Sequence, residues 1–168
     1  MKKLFYLFTL LIAASIMSSS YNTGEGGSED GVRWATRNVD TPGNFVQNPS
    51  DTGGFFTWHE AQDACPDGWR LPTLEELQSL IYAPGSEWAV RNGVSGRTFG
   101  IARSQIFLPA AGFQRTNGNM RGVGSTGIYW SSTSLGGRAW AMQFNSTSMF
   151  RYNYRKAFAL NVRCVRDI

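Results

Sequence analysis

Short apolar runs with alternating polar positions predict strands at both ends of the folded part of the chain. Val32 and Trp34 alternate with more polar neighbours, as in a strand with one buried face. In residues 139–144 the three large side chains, Trp140, Met142 and Phe144, occupy every second position and are assigned to the core, and residues 160–165 are predicted to form the last strand. Between residues 88 and 130, aromatic and β-branched runs separated by glycines indicate further strands joined by loops.

Two capping patterns predict helices between the first and the later strands. A Thr-x-x-Glu pattern that begins at Thr57 predicts a helix over residues 57–64, and the same pattern at Thr73 predicts a second helix that ends near Tyr82. The second helix carries an apolar stripe for one buried face, namely Leu74, Leu77, Leu80 and Ile81. Helices early and strands late predict an α+β fold.

The first residues are typical of an export signal. Two lysines precede an apolar run over residues 4–17, and serines follow at 18–20, so residues 1–20 are predicted to be a signal peptide cleaved after Ser20. The run is short for a membrane-spanning helix, which is the alternative. Residues 21–30 are rich in Gly, Ser and Glu and are predicted to be a flexible lead-in, so the predicted domain covers residues 31–168. We therefore expect a periplasmic, cell-surface or secreted protein with no transmembrane segment after cleavage.

Charge is distributed unevenly between the two halves of the chain. The formal net charge is +4, yet all but one of the 12 acidic residues lie before residue 88, and none lies between 88 and 166. An acidic layer facing a basic layer within one domain is one interpretation. The other is a cationic face for anionic partners such as phosphate-bearing or uronic-acid glycans. Nucleic acid is not an expected partner, because no nucleic-acid motif is present.

The expected export determines which role the two cysteines are predicted to have. An oxidising compartment allows Cys65 and Cys164 to form a disulfide, which would close a long loop. A thiolate metal site would need more ligands than two cysteines and His59 supply, so no metal and no cofactor is expected. His59 lies in a predicted helix without a nucleophile motif, and adjacent Glu75 and Glu76 cannot flank one substrate bond. The residues therefore do not indicate an enzyme.

Three strings carry a family resemblance: CPDGWRLPT at residues 65–73, YWSST at 129–133 and VRCV at 162–165. Together they resemble the Fibrobacter succinogenes major paralogous domain, a family of secreted bacterial domains that includes many variable proteins of diversity-generating retroelements. The resemblance implies a C-type-lectin-like fold of the α+β class, with two short helices early, strands and long loops late, and paired N- and C-terminal strands. It also implies a binding protein, without naming the ligand.

The string GWRLPT at residues 68–73 also resembles formylglycine-generating enzymes. Those enzymes depend on a reactive cysteine pair, whereas Cys65 and Cys164 fall where the non-enzymatic family has its structural link. The residue 88–166 region also lacks the carboxylates and the tripeptides of calcium-dependent sugar-binding lectins. An enzyme related to that family is thus only the third interpretation.

Residues 131–155 are rich in arginines and aromatics, which suit recognition surfaces. Residues 149–155 show no helical or strand period, which argues that these aromatics do not all fill the core, although filling the core is the alternative. The resemblance places the rewritten surface of retroelement-diversified members here. We predict an adhesion or receptor protein for an unknown protein or glycan ligand, with a structural or accessory surface domain as the alternative. The predicted contact residues are Arg138, Ser146, Ser148, Phe150, Arg151, Tyr152, Asn153, Tyr154 and Arg155.

Overall fold

A computed structural model describes residues 31–168. The predicted signal peptide and lead-in lie outside the described residues. The elements in chain order are β1 (Val32–Trp34), β2 (Val39–Thr41), β3 (Asn44–Phe45), α1 (Trp58–Gln62), α2 (Leu74–Tyr82), β4 (Glu87–Arg91), β5 (Val94–Phe99), a 3-10 turn (Ala102–Ser104), β6 (Ile106–Pro109), β7 (Phe113–Gln114), β8 (Met120–Arg121), β9 (Gly127–Leu135), β10 (Arg138–Phe144), β11 (Met149–Arg155) and β12 (Val165–Asp167).

The predicted α+β class, with a C-type-lectin-like arrangement of two early helices and late strands, is wrong. Strand positions make up 43% of the described residues and helices only 12%. Three strands precede the first helix, and the chain forms several small antiparallel sheets. The physical reason is that a capping pattern fixes where a helix begins but not how far it extends. The helix α1 has only five residues, and Pro66 follows shortly after it.

Both predicted capping boxes are present. The Thr57 hydroxyl accepts a hydrogen bond from the Glu60 backbone N–H, and the Glu60 carboxylate accepts one from the Thr57 backbone N–H. Thr73 and Glu76 make the same reciprocal pair at the start of α2. These hydrogen bonds satisfy backbone donors that a helix start otherwise leaves without partners.

The sheet β9-β10-β11 lies between two hydrophobic clusters. Alternate residues of β10 contribute to opposite clusters: Ala139 and Ala141 pack in one, and Met142 and Phe144 pack in the other. The second cluster includes the apolar face of α2, while the first includes the chain around the disulfide. Because both faces of this sheet are covered, its central strands read as nearly continuous apolar runs.

The strands at the two ends of the described chain pair with each other. Val32 of β1 lies opposite Asp167 of β12, and the two strands are antiparallel. The last strand was predicted over residues 160–165 but begins only at Val165. Leu160 instead makes an isolated β-bridge with Phe56. The side chain of the next arginine along the chain, Arg163, is buried.

That arginine, Arg163, is fully buried and joins three parts of the chain. It donates hydrogen bonds to the Asn38 side-chain oxygen at 2.9 Å and to the carbonyl oxygens of Ala35 and Phe107 at 3.0 Å. Burial lowers its pKa to about 10. A guanidinium whose nitrogen atoms all donate to buried oxygen atoms can lie inside the protein in this way, and it interrupts the strand that was predicted over residues 160–165.

The predicted disulfide between Cys65 and Cys164 is confirmed. It joins the segment after α1 to the segment before β12, across 99 residues of sequence. A disulfide is compatible with an exported protein. Among the described residues, no helix has the length and apolar character needed to cross a membrane.

Candidate functional site

The predicted contact residues come together on one hairpin, formed by β10, a four-residue turn and β11. Residues 149–155 form a regular strand, so the prediction that they have no strand period is wrong. Register is uninterrupted between the two strands, from Phe144 opposite Met149 to Arg138 opposite Arg155. The period is visible in the sequence, because aromatic side chains at 150, 152 and 154 alternate with polar ones at 151, 153 and 155. It was overlooked because tyrosine counts neither as clearly apolar nor as clearly polar.

One face of β11 carries a row of cationic and polar side chains. Arg151, Asn153 and Arg155 occupy alternate positions and therefore share a face, and Arg138 lies directly opposite Arg155 on β10. We call Arg138, Arg151, Asn153 and Arg155 the arginine stripe. It lies on the same side of the sheet as α2, because Arg151 pairs with Met142, whose side chain packs in the cluster with that helix.

Neutral partners orient the stripe. The Arg138 guanidinium donates to the Asn153 backbone carbonyl at 2.8 Å and to its side-chain oxygen at 3.1 Å. The Arg151 guanidinium lies over the Trp140 ring, 5.4 Å from the ring centroid, and donates to the Gln78 side-chain oxygen at 3.4 Å. These contacts fix the positions of the arginines but leave their charges uncompensated.

No carboxylate of the described residues lies within 4.0 Å of the guanidinium groups of Arg138, Arg151 or Arg155. Arg70 shows the contrast, because its guanidinium pairs with Glu76 at 2.7 Å and with Asp167 at 2.6 Å. These two carboxylates raise the pKa of Arg70 far above its usual value, with the Glu76 hydrogen bond as the larger cause. The arginine stripe is thus a cationic surface without internal neutralisation.

The opposite face of β11 is aromatic and varies in burial. Phe150 is 39% exposed and Tyr152 is 49% exposed, so both offer apolar contact area. Tyr154 instead packs against the core, with its ring near those of Phe113 and Trp130 and its hydroxyl donating to the Gln143 side-chain oxygen. Burial raises the pKa of Tyr154 to about 12.

The two predicted serine contacts lie in the turn between the strands. The Asn145 side-chain oxygen accepts hydrogen bonds from the backbone N–H groups of Thr147 and Ser148, both at 2.8 Å, and from the Ser148 hydroxyl at 3.0 Å. Ser148 therefore helps to shape the turn, whereas Ser146 is exposed. The turn places both serines at the end of the hairpin, away from Arg138 and Arg155.

Sequence reasoning missed two side chains that contact the stripe. Trp140 was placed in the core with Met142 and Phe144, but it is only half buried and carries the Arg151 guanidinium. Gln78 lies on α2, 73 residues away from Arg151. No local signal links a glutamine on a helix to a hairpin so distant in sequence. Trp140 shares its strand face with Met142 and Phe144, so the alternation of residues 139–144 does not reveal that it is partly exposed.

Other candidate sites are weaker within the described residues. A shallow cleft is lined by Trp34, Arg37, Phe45 and Trp69. The Arg37 guanidinium already lies over the Phe45 ring, at 5.9 Å from its centroid. Residues 31–168 contain no cluster of three His, Cys, Asp or Glu side chains that could hold a metal ion.

Comparison with known proteins gives one family match. The model of the family described as the Lcl C-terminal domain matches residues 28–166, which is most of the chain. No curated protein and no solved structure matches the chain.

Proposed function

Because the chain belongs to the Lcl C-terminal domain family, a surface or accessory domain family tied to the Fibrobacter major paralogous domain, we propose that it is an exported binding domain whose arginine stripe holds an anionic ligand. One observation carries the proposal. Arg138 and Arg155 lie directly opposite each other on neighbouring strands, with no carboxylate of residues 31–168 to separate their charges. Like charges at such positions repel, and an anion between them removes the repulsion.

The chemistry of the stripe suits anionic groups. A guanidinium presents planar donors that match carboxylate, sulfate or phosphate oxygens, and hydrogen bonds to charged groups contribute on the order of 1.5–3 kcal/mol each. Trp140 beneath Arg151 supports this planar group from one side. On the other face, Phe150 and Tyr152 add apolar contact area. An anionic protein or glycan would use the stripe for charge and the aromatics for additional contact.

A binding rather than catalytic role is part of the proposal. Both cysteine sulfurs are held in the Cys65–Cys164 disulfide, so this fold offers no free thiol of the kind that formylglycine-generating enzymes use. Export is proposed on the predicted signal peptide, and the disulfide is compatible with it.

Two polyanions and a charge-matched variant test the proposal. The protein is passed over immobilised poly-L-glutamate and immobilised alginate, and dissociation constants are measured at several salt concentrations. The variant R138Q/R155Q removes the opposed pair, and R103Q/R115Q removes the same charge from exposed arginines elsewhere. We expect R138Q/R155Q to lose at least tenfold in affinity and R103Q/R115Q to keep most of it.

Equal losses in the two variants would leave only a diffuse effect of net charge. If the wild-type protein binds neither immobilised polyanion, the anion-binding role of the arginine stripe is also contradicted. A protein that bound no ligand but co-purified with a cell-surface assembly would instead support the structural or accessory role.

We further propose that the hairpin varies between copies of the gene, as in retroelement-diversified proteins. Its backbone is held by strand pairing, so side chains such as Phe150, Arg151 and Tyr152 can change without altering the strand. DNA sequencing around the gene, across many cells of one lineage, tests this idea. We expect a near-copy of codons 131–166 whose mismatches are confined to adenines, and the absence of such a copy would contradict the proposal.

A further inference from the structure

The outer edge of β11 has no strand beside it within the described part of the chain. The sheet order is β11-β10-β9, which places β11 at one end. At the other end, the outer side of β9 is engaged by a later segment: the Trp130 backbone N–H donates to the Asn161 carbonyl, and the Asn161 N–H donates to the Ile128 carbonyl. The open edge of this sheet is therefore the outer edge of β11, the strand that carries most of the predicted contact residues.

The hairpin hydrogen bonds show which backbone groups point outward. The Asn145 N–H donates to Ser148, and the Lys156 N–H donates to Gly137, so these pairs are of the hydrogen-bonded type. Such pairs alternate with non-bonded ones along an antiparallel ladder. Phe150, Tyr152 and Tyr154 therefore direct their backbone groups toward β10. The intervening residues of β11 direct theirs away from the sheet.

Two of the outward carbonyls already have a donor. The Asn153 carbonyl accepts from the Arg138 guanidinium, and the Arg155 carbonyl accepts from the Phe158 backbone N–H. No hydrogen bond within residues 31–168 uses the outward N–H groups of Arg151 and Asn153 or the Arg151 carbonyl. The Asn153 oxygen also retains a second lone pair. An incoming strand thus finds two N–H donors, those of Arg151 and Asn153, and the Arg151 carbonyl without a partner among residues 31–168.

Apart from the charges of Arg151 and Arg155, the edge lacks the features that usually prevent strand addition. Natural edge strands are protected by short length, charged side chains such as lysine, proline, bulges or inward charges. The strand β11 has seven residues, contains neither proline nor lysine, and pairs with β10 without a bulge. Its side chains are exposed or half buried along the whole length. An edge protected only by positive charge remains a template for a partner strand of opposite charge.

Charge selects the partner. In a second copy of β11 paired antiparallel about Asn153, Arg151 of each strand would lie opposite Arg155 of the other, and like charges would meet twice. A strand with acidic side chains at alternate positions would instead place carboxylates opposite Arg151 and Arg155 on the same face. Its intervening side chains would lie on the face of Phe150 and Tyr152.

We propose that β11 binds an extended acidic peptide by adding it as a fourth strand to the sheet. The proposal rests on the anion-binding function of the arginine stripe and specifies its ligand. The acidic side chains occupy alternate positions and pair with Arg151 and Arg155, and apolar side chains between them contact Phe150 and Tyr152. Main-chain hydrogen bonds to Arg151 and Asn153 supply the part of the affinity that charge alone does not give.

N-methylated peptides separate strand addition from charge attraction. The probe is a fluorescent peptide as long as β11, with alternating Glu and Val, and its binding to the full protein is measured by fluorescence anisotropy. Two further peptides carry N-methyl groups on one or the other alternate set of amides. Strand addition uses only the amides that face β11, so we expect one methylated peptide to lose at least tenfold in affinity while the other binds like the parent.

Each other result has a distinct meaning. If both methylated peptides bind like the parent, strand addition is overturned while the anion-binding function stands. If alginate binds and the acidic peptide does not, the ligand is a glycan and the peptide proposal fails. If neither the peptide nor any polyanion binds, the proposed function and this inference fail together. A parent peptide with Gln in place of Glu should bind at least tenfold more weakly than the Glu peptide, and equal binding would overturn the charge selection.

Discussion

Tyr152 and Tyr154 show how two neighbouring aromatics on one strand face can have different roles. Their rings meet edge to face, with centroids 5.1 Å apart. Tyr152 extends toward solvent, while Tyr154 packs against Phe113 and Phe158 and bonds to Gln143. The ring of Tyr154 therefore links the candidate surface to the core. A substitution of Tyr154 would change stability and binding together, whereas a substitution of Tyr152 should change binding alone.

The pKa of Tyr154 predicts a stability effect at alkaline pH. Burial raises this pKa from 10.0 to about 12 in the folded protein. The tyrosine hydroxyl therefore stabilises the fold fully below pH 10, and this contribution is lost as the pH rises through 12, because the unfolded chain ionises first. In Y154F the side chain at position 154 has no hydroxyl to ionise. We expect the difference in free energy of unfolding between wild type and Y154F to shrink between pH 10 and 12.

Urea unfolding of both proteins at several alkaline pH values measures this difference. Comparison with Y154F cancels the contributions of Tyr129, whose pKa burial raises to about 12, and of Arg163, whose lowered pKa acts in the opposite direction. A difference that stayed constant with pH would show that the Tyr154 hydroxyl is not shielded from water in the folded state.

At the scale of elements, the sheet β9-β10-β11 depends on close packing at the start of β9. Gly127 lies so near the Phe144 ring that an added Cβ would lie 2.1 Å from the nearest ring carbon. Phe144 is fully buried and stacks on Tyr129, with the two ring centroids 6.0 Å apart. The ring therefore has little room to move, and the requirement at Gly127 is steric rather than conformational.

Replacing Gly127 by alanine should destabilise the protein by overpacking. We expect the free energy of unfolding to fall by about 1–3 kcal/mol in G127A, as measured by urea denaturation. Gly137, in the β9–β10 turn, is the matched control, because an added Cβ there meets no atom within 4 Å. G137A should stay within about 0.5 kcal/mol of wild type. Equal effects of the two substitutions would contradict the tight contact with Phe144.

Local signals in the sequence predicted some elements and missed others. The helix starts at Thr57 and Thr73 were found because a capping box is formed by neighbouring residues. The fold class was wrong, since helix length and sheet pairing depend on contacts distant in sequence. The strand nature of β11 was missed although aromatic and polar side chains alternate over residues 150–155, because the aromatic positions are mostly tyrosines, which do not read as clearly apolar. The contact of Gln78 with Arg151 left no trace in either segment.

At the scale of the whole molecule, the disulfide is the covalent tie between distant parts of the chain. Cys65 follows α1 and Cys164 precedes β12, so the bond closes a loop that contains most of the sheets. Its effect on stability is expected to be large, because a cross-link over so long a loop removes many conformations from the unfolded chain.

Reduction of this disulfide should lower the free energy of unfolding, but the protein should remain folded in the absence of denaturant. In the chain-entropy model, a loop of this length corresponds to about 4–5 kcal/mol. We therefore expect C65A/C164A to unfold at a clearly lower urea concentration than the oxidised wild type, with the same circular dichroism before unfolding. Reduced wild type is the control and should unfold near the double variant. A shift below about 1 kcal/mol would show that the unfolded chain is already restricted by other contacts.

The pairing of β1 with β12 has a consequence for how the domain can be carried. The Ile168 backbone N–H donates to the Gly31 carbonyl at 3.1 Å, so the chain enters and leaves the described fold at adjacent points. A domain with this geometry can be inserted into a surface loop of a host protein without pulling the host loop apart. Its ends can also be joined by a short spacer and new ends opened at an exposed turn such as that at Gly118. The domain could then be moved into another host protein, which would display the β10–β11 hairpin on its surface.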